Sequence, residues 1–437
     1  MAELLLARHA ADVRAKHLPP SPAGALASAA DAADVRAKHL PQSPAGALAS
    51  AAAEAADVRA KHLPQSPAGA LASAADASPL PATPETIALT LWSMDTIKTE
   101  GESLAVVLAL IGARPERDGQ GKIWRYQLIP LEELGRPRVD VLLDISPIFR
   151  DTFQMSLDLL DDMFRRAAAA AEPEQQNFVR AHALAMQRGG GSWDDATARI
   201  FTQAPGQYGT GVDELIDEGQ WQQNDDLAEM YTRRGAHAYG GNRAGAAAPA
   251  TLRALLGTVD HVFQAIDSVE YGITDISHYY GHGGAIQLAA AKARGESVPL
   301  TYAESFTGTI KLAGAEELIQ LEARSKLLNP RWYEGMLNHG FAGAAEIGQR
   351  FTYLLGWSAV SGNVANWIFD DAAATFVLDD AMRTRLEQAN PQAARNAVAR
   401  LLEANGRGLW QTDEATLDRL QALYGDLEDR LEGVAIS

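Results

Sequence analysis

From Glu85 onward the chain alternates short apolar, β-prone runs with helical stretches, and this alternation limits the fold more than any other feature. Residues 86–92 (TIALTLW), 122–129 (KIWRYQLI) and 139–145 (VDVLLDI) have the length and composition of strands. Residues 101–112 (GESLAVVLALIG) predict a helix closed by a glycine, and 152–171 a long amphipathic helix. Strands separated by helices pack as βαβ units around a largely parallel sheet. After Ala181 the strand signal fades. Segments 194–201, 225–235, 252–268, 316–328, 332–338, 344–357 and 412–431 predict helices, and 298–303 is the main later strand. The expected fold class is α/β: a parallel-sheet βαβ unit over 85–190, then a mainly helical region over 191–437.

Residues 1–84 differ in kind. ADVRAKHLP occurs at 11–19, 33–41 and 56–64, offsets of 22 and 23 residues, and each copy runs on into SPAGALASAA. Each unit offers few large apolar side chains and much Ala and Pro, too little to offset the entropy of ordering it. The expectation is a low-complexity repeat arm, disordered or partly helical, ending at Pro79, Pro81 and Pro84. One histidine per repeat (His17, His39, His62) reads as solvated decoration rather than a metal site. The arm holds seven basic and seven acidic residues, so the net charge of −18 (38 Lys and Arg against 56 Asp and Glu) sits on the remainder.

An excess of acid that large repels phosphates and argues against general nucleic-acid binding. With no cysteine, the chain has no disulfides, thiolate metal sites, iron–sulfur clusters or cysteine nucleophiles. No apolar run approaches the roughly 20 residues of a membrane span, and the start lacks a basic signal-peptide region. The expected location is cytoplasmic. Gly121-Lys122 lacks both the following Ser/Thr and the earlier glycine of a phosphate loop, and no GxSxG elbow is present.

The remaining chemistry lies in four places. Gly209-Thr210-Gly211 precedes a predicted helix and reads as a plain turn or an anion cradle. Asp275, His278 and His282, spaced three and four apart, would share one helical face, a geometry suited to a metal. Glu334, His339 and Glu346 lie among Gly335, Gly340 and Gly343, which would admit a flat ligand or close a helix–helix corner. Arg150-Asp151 follows the third predicted strand, where an open α/β sheet binds ligands, and serves as a ligand clamp or a capping ion pair.

Eight strings in order resemble one family. They are ETIALTLWSMDTIKTEGESLA (85–105), IPLEELGRPRVDV (129–141), SPIFRDTF (146–153), NFVRAHAL (177–184), ARIFTQAPGQYGTGV (198–212), TDISHYY (274–280), LLNPRWYEGMLNHGFAGAAEI (327–347) and LLEANGRGLW (401–410). They are similar to the C-terminal part of the large chelatase subunits, those of magnesium chelatase (the H type) and of cobaltochelatase. LGWSAVSGNVANWIF (355–369), EANGRG (403–408) and LEDRLEGV (427–434) look more like the magnesium branch. HGFAGAAE (339–346) is compatible with the cobalt branch as well. Members of the family are typically much longer, with a body upstream of the part matched here.

The resemblance implies a porphyrin-binding subunit of an ATP-dependent magnesium chelatase, a ligase that inserts Mg²⁺ into protoporphyrin IX in (bacterio)chlorophyll biosynthesis. Mg²⁺ and protoporphyrin IX would be substrates. ATP would be hydrolysed by two AAA+-class partners, the I-type and D-type subunits. Such chemistry requires an apolar slot, cations for propionates, a base for two pyrrole protons, and oxygen or imidazole donors for an ion that dehydrates reluctantly. On this resemblance Glu346, Glu334 and His339 are the expected catalytic groups. Arg150, Tyr208 and Trp332 would bind substrate, and His278 and Asp275 the metal. The alternatives are a cobaltochelatase large subunit acting on a corrinoid in cobalamin biosynthesis, or a non-catalytic tetrapyrrole scaffold or truncated relic.

Overall fold

Every residue of Thr86–Leu91 and of Asp140–Ile145 is buried. Strands covered on both faces belong to parallel sheets flanked by helices, and that is the arrangement here. A computed structural model describes residues 1–17, 83–266, 271–305, 309–362 and 364–433. In chain order its strands are β1 (Thr86–Leu91), β2 (Ala113–Arg117), β3 (Ile123–Leu128), β4 (Asp140–Ile145), β5 (Ile200–Thr202), β6 (His237–Gly240), β7 (Arg243–Ala247), β8 (Val259–Ile266), β9 (Leu300–Glu304) and β10 (Lys311–Gly314). Among the described residues, eight form one sheet in the order β10-β9-β8-β1-β4-β5-β6-β7. The five strands from β9 to β5 run parallel, while β10 pairs antiparallel with β9, β6 with β5, and β7 with β6.

The α/β class holds, with three corrections to its layout. The run at 122–129 forms β3, but among the described residues β3 pairs only with β2, as a separate antiparallel hairpin. Much of β3 is exposed, Trp124 included, which suits a flap better than a central strand. The largest correction falls at 252–268, expected to be one helix. Helix Pro249–Leu256 ends at Gly257, and the next residues form β8, a direct neighbour of β1. Likewise 194–201 divides into a short helix, Trp193–Ala196, and β5. The sheet therefore draws strands from both 85–190 and 191–437.

Contacts divide the chain into one unit of Met1–His9 with Thr83–Ser437 and another of Ala10–Ala82. Helix Ala2–His17 opens the chain, and its Leu5 is fully buried. The rest of the repeat arm, with His39 and His62, lies outside the described residues. Two cores cover the sheet. Leu89, Leu143 and Phe263 face helices Glu102–Ile111, Gln154–Ala169 and Phe178–Arg188. Ala88, Leu142 and Val262 face helices Asn224–Gly235, Ala285–Arg294, Gly340–Ser361 and Pro391–Gly406. From β1 the chain proceeds to β4 on one side and later to β8 on the other. Crossovers diverge at β1, and ligands bind beyond the carboxyl ends of strands at such a point.

Candidate functional site at the carboxyl ends of the strands

Tyr302, Gln264, Thr90 and Asp144 form one lateral row: Tyr302 pairs with Gln264, Gln264 with Thr90, and Thr90 with Asp144. Neighbours in register point to the same face of a sheet, and all four are almost inaccessible. Against this row lies a single π turn, Tyr280–Gly284, leading into helix Ala285–Arg294. A Cβ on Gly283 would fall 2.7 Å from Gln264 Oε1 and 3.1 Å from Tyr302 Oη. One on Gly356, in the helix behind, would fall 2.8 Å from the Tyr280 ring. Only glycine allows the turn to sit this close. The seat brings His282 Nδ1 to 2.9 Å from Asp144 Oδ2, with both side chains buried. Tyr231 neighbours the same carboxylate, and burial together with that charge pushes its phenol pKa well above the ordinary value.

Beyond the row opens a cleft of about 380 Å³, within the range of roughly 300–1,000 Å³ usual for small-molecule sites. Trp92 and Met94 after β1, and Pro147 and Ile148 after β4, give it apolar walls, with Tyr208 opposite. His278 and His282 supply imidazoles. His278 Nδ1 lies 3.3 Å from Asp213 Oδ2. That hydrogen bond raises the imidazole pKa against the downward pull of burial. Burial would raise the Asp213 carboxyl, but His278 outweighs it and holds the group below its ordinary value. Trp92 Nε1 and Ser93 Oγ are buried in the same wall with no hydrogen-bond partner among the described residues. Unpaired buried donors are costly.

The residues singled out in the sequence fall in three places. Tyr208 and His278 line the cleft. Arg150 lies beneath it, its donors committed: Nε and Nη2 bond Asp151 at 2.6 and 3.0 Å, and Nη1 bonds the Gln203 and Ala204 carbonyls at 3.3 and 3.2 Å. It also stacks on Tyr208, 5.8 Å from the ring centre. Arg150 is thus an anchor for the Tyr208 loop rather than a free cation. Gly209-Thr210-Gly211 is a turn, pinned by a 2.8 Å bond from Thr210 Oγ1 to the Gly281 carbonyl.

Asp275 and Trp332 form a second, internal group. The expected helical face of Asp275, His278 and His282 does not exist, because Asp275 precedes the first turn of Ser277–Tyr279. Its carboxylate accepts from Gly272 N–H at 2.6 Å and pairs with Arg350 and Lys326. Two cations already neutralise it. Arg350 stacks on Trp332 at 5.1 Å, so both expected residues serve the packing of this corner. Among the described residues, no group of three or more His, Asp and Glu side chains is placed to hold a metal.

Glu334, His339 and Glu346 form the third group, on an outer helix corner away from the cleft lining. Glu334 is held by Arg385 through bonds of 2.9 and 2.6 Å, while His339 and Glu346 are exposed. The close approach at Gly343 is to the Met336 backbone, not to an open slot. Glu346 stands ten residues before Gly356 on one helix, roughly 15 Å along its axis.

The sequence marks Asp144 and Trp92 only as members of strand runs, Trp92 also within one family-like string, and the metal triad that would include His282 does not form. One signal was available. VDVLLDI places two carboxylates four residues apart in an otherwise apolar strand, hence on one face.

Residues 76–417 match the CobN/Magnesium Chelatase family. The chain is 50% identical over 354 residues to the H-type magnesium-chelatase subunit of Chlorobaculum parvum, covering 80% of this chain and 28% of that protein. It is 42% identical over 355 residues to ChlH, the chloroplastic magnesium-chelatase subunit of Oryza sativa subsp. japonica, covering 80% and 26%. The solved catalytic subunit of cobaltochelatase from Mycobacterium tuberculosis superposes with a TM-score of 0.77 at 34% identity, covering 79% of this chain and 30% of that one. The chain thus spans under a third of the length of these relatives, and over that span it belongs to the CobN/magnesium chelatase family.

Proposed function

We propose that this chain is the C-terminal, tetrapyrrole-binding part of an H-type subunit of an ATP-dependent magnesium chelatase, acting on protoporphyrin IX in the cytoplasm. The observation that carries the reading is the apolar cleft at the sheet's crossover point, with Trp92 on one wall and two imidazoles at its edge. Met94, Ile148 and Tyr208 are more than half exposed and extend the apolar surface beyond the cleft. A macrocycle larger than the cleft would rest on that rim. Arg150 is not a free cation for its polar edge, since its donors are committed within the protein. His278 is the cleft's candidate proton acceptor or ion relay. Glu334, His339 and Glu346 would act only if their exposed corner were covered by another segment or subunit. I-type and D-type partners would supply ATP hydrolysis, since no phosphate loop exists in the sequence.

The test is a titration of the full chain with protoporphyrin IX and, separately, with hydrogenobyrinic acid a,c-diamide, followed by tryptophan fluorescence. Quenching by the porphyrin at lower concentration supports the magnesium branch. The reverse order would move the reading to the cobalt branch. Quenching by neither would remove it.

A further inference from the structure

Resting on that tetrapyrrole reading, we infer that His282 is an axial ligand: its Nε2 binds the metal of a metallated tetrapyrrole seated in the cleft, with Asp144 as the positioning residue. The described residues offer no metal site built from three or more His, Asp and Glu side chains. A metallated tetrapyrrole does not need one, because the macrocycle supplies four nitrogens and leaves its axial positions open, one of which a single side chain can fill.

His282 meets the requirements of that donor. Its Nδ1 lies 2.9 Å from Asp144 Oδ2, so the ring proton on Nδ1 is donated to the carboxylate and Nε2 keeps its lone pair. Metal-binding histidines regularly donate their other ring N–H to a carboxylate, which fixes the tautomer and makes the free nitrogen a better donor. Nε2 makes no hydrogen bond among the described residues, and the side chain lines the cleft. In that neutral tautomer, coordination would use the Nε2 lone pair without displacing a proton. The ring is held by Trp92, edge-on at 5.8 Å between centres, and by a π turn that Gly283 seats against the sheet. Single π turns recur at functional sites because they re-aim one side chain. The Tyr231 phenol stands near Asp144, and among the described residues no Lys or Arg pairs with this carboxylate in competition with the imidazole.

Zinc protoporphyrin IX is the probe, because zinc accepts one imidazole nitrogen and has no redox chemistry. The full chain is titrated with zinc protoporphyrin and with metal-free protoporphyrin, and the Soret band is followed. The wild type should bind the zinc form at least about tenfold more tightly, with a red-shifted band. His282→Ala, and His282→Phe as a variant that keeps a ring, are titrated with both forms, and the ratio of the two affinities is the readout. Both should lose the shift and the tenfold advantage, and added imidazole should restore the shift in His282→Ala. Asp144→Asn should keep a shift but bind the zinc form about 10–100-fold more weakly. The inference is overturned if the histidine variants match the wild type with the zinc form. It is equally overturned if the wild type binds both forms alike with an unshifted band. Failure of the wild type to bind either form would instead reject the tetrapyrrole reading itself.

Discussion

Asp140 and Asp144 stand four residues apart on one face of β4, both buried, at opposite ends of the same strand. At the amino end, Asp140 receives Arg199 Nε at 2.8 and 3.0 Å and His182 Nδ1 at 2.9 Å. Arg199 spends its remaining donors on the carbonyls of Ala196, Ala198 and Val179. This network is closed, with each charge met by an opposite charge or a backbone group. At the carboxyl end, Asp144 Oδ2 pairs with His282, its Oδ1 has no hydrogen-bond partner among the described residues, and the imidazole keeps one nitrogen for the cleft. A buried carboxylate whose partners are exhausted holds a fold together. One whose partner faces a cleft can work on a ligand.

The largest expected effect is at the closed end. Asp140→Ala would leave the Arg199 guanidinium buried without a counter-charge and should lower stability by about 3–5 kcal/mol, read by chemical denaturation. Gly283→Ala should cost about 1–3 kcal/mol by pushing the π turn off Gln264 and Tyr302, and should weaken zinc-protoporphyrin binding as well. Asp144→Asn should change stability by only about 1 kcal/mol while reducing that binding. Equal stability losses at Asp140 and Asp144 would break the comparison.

A smaller effect lies in the pH dependence of the closed end. Burial would raise the Asp140 carboxyl, but Arg199 and His182 more than offset it and hold the group at about 2. Its contribution to stability is present above the unfolded value of about 3.9 and is lost as pH falls toward about 2. For His182, burial lowers the pKa, but Asp140 raises it further, to a net value above the ordinary one. Its contribution is complete below about 6.5 and fades as pH rises through the higher folded value. His182→Asn should therefore flatten the alkaline limb of a stability–pH curve. The smallest structural effect belongs to the outer corner. Glu346→Gln should leave stability within about 0.5 kcal/mol, yet slow Mg²⁺ insertion in a complete enzyme. Normal chelation by that variant would remove Glu346 from the proposed mechanism.

How much of this could be read beforehand varies by element. β1 and β4 announce themselves because both faces are buried and their runs are almost wholly apolar. β8 is equally central but contains His261 and Gln264, and it follows helix Pro249–Leu256 after only a short turn, so 252–268 read as one helix. Its polar residues are what the site requires, and they are also what hid it. The cleft's location at strand ends was foreseeable from Arg150 and Tyr208, although Arg150 proves to be an anchor. The Asp144–His282 contact joins residues 138 apart through a π turn seated on glycines, and no local pattern encodes that. Glu334, His339 and Glu346 stand out by their setting among glycines and take catalytic roles from the family resemblance, and neither shows which surface covers them.

The most direct test of the central claim, that the cleft beyond β1 and β4 receives the tetrapyrrole, uses Ile148. This side chain is 60% exposed on the cleft wall, so Ile148→Asp can place a charge there without disturbing the core. Protoporphyrin IX affinity should fall at least about tenfold, a loss of about 1.4 kcal/mol, with the melting temperature unchanged. Undiminished affinity in a folded Ile148→Asp chain would contradict the account.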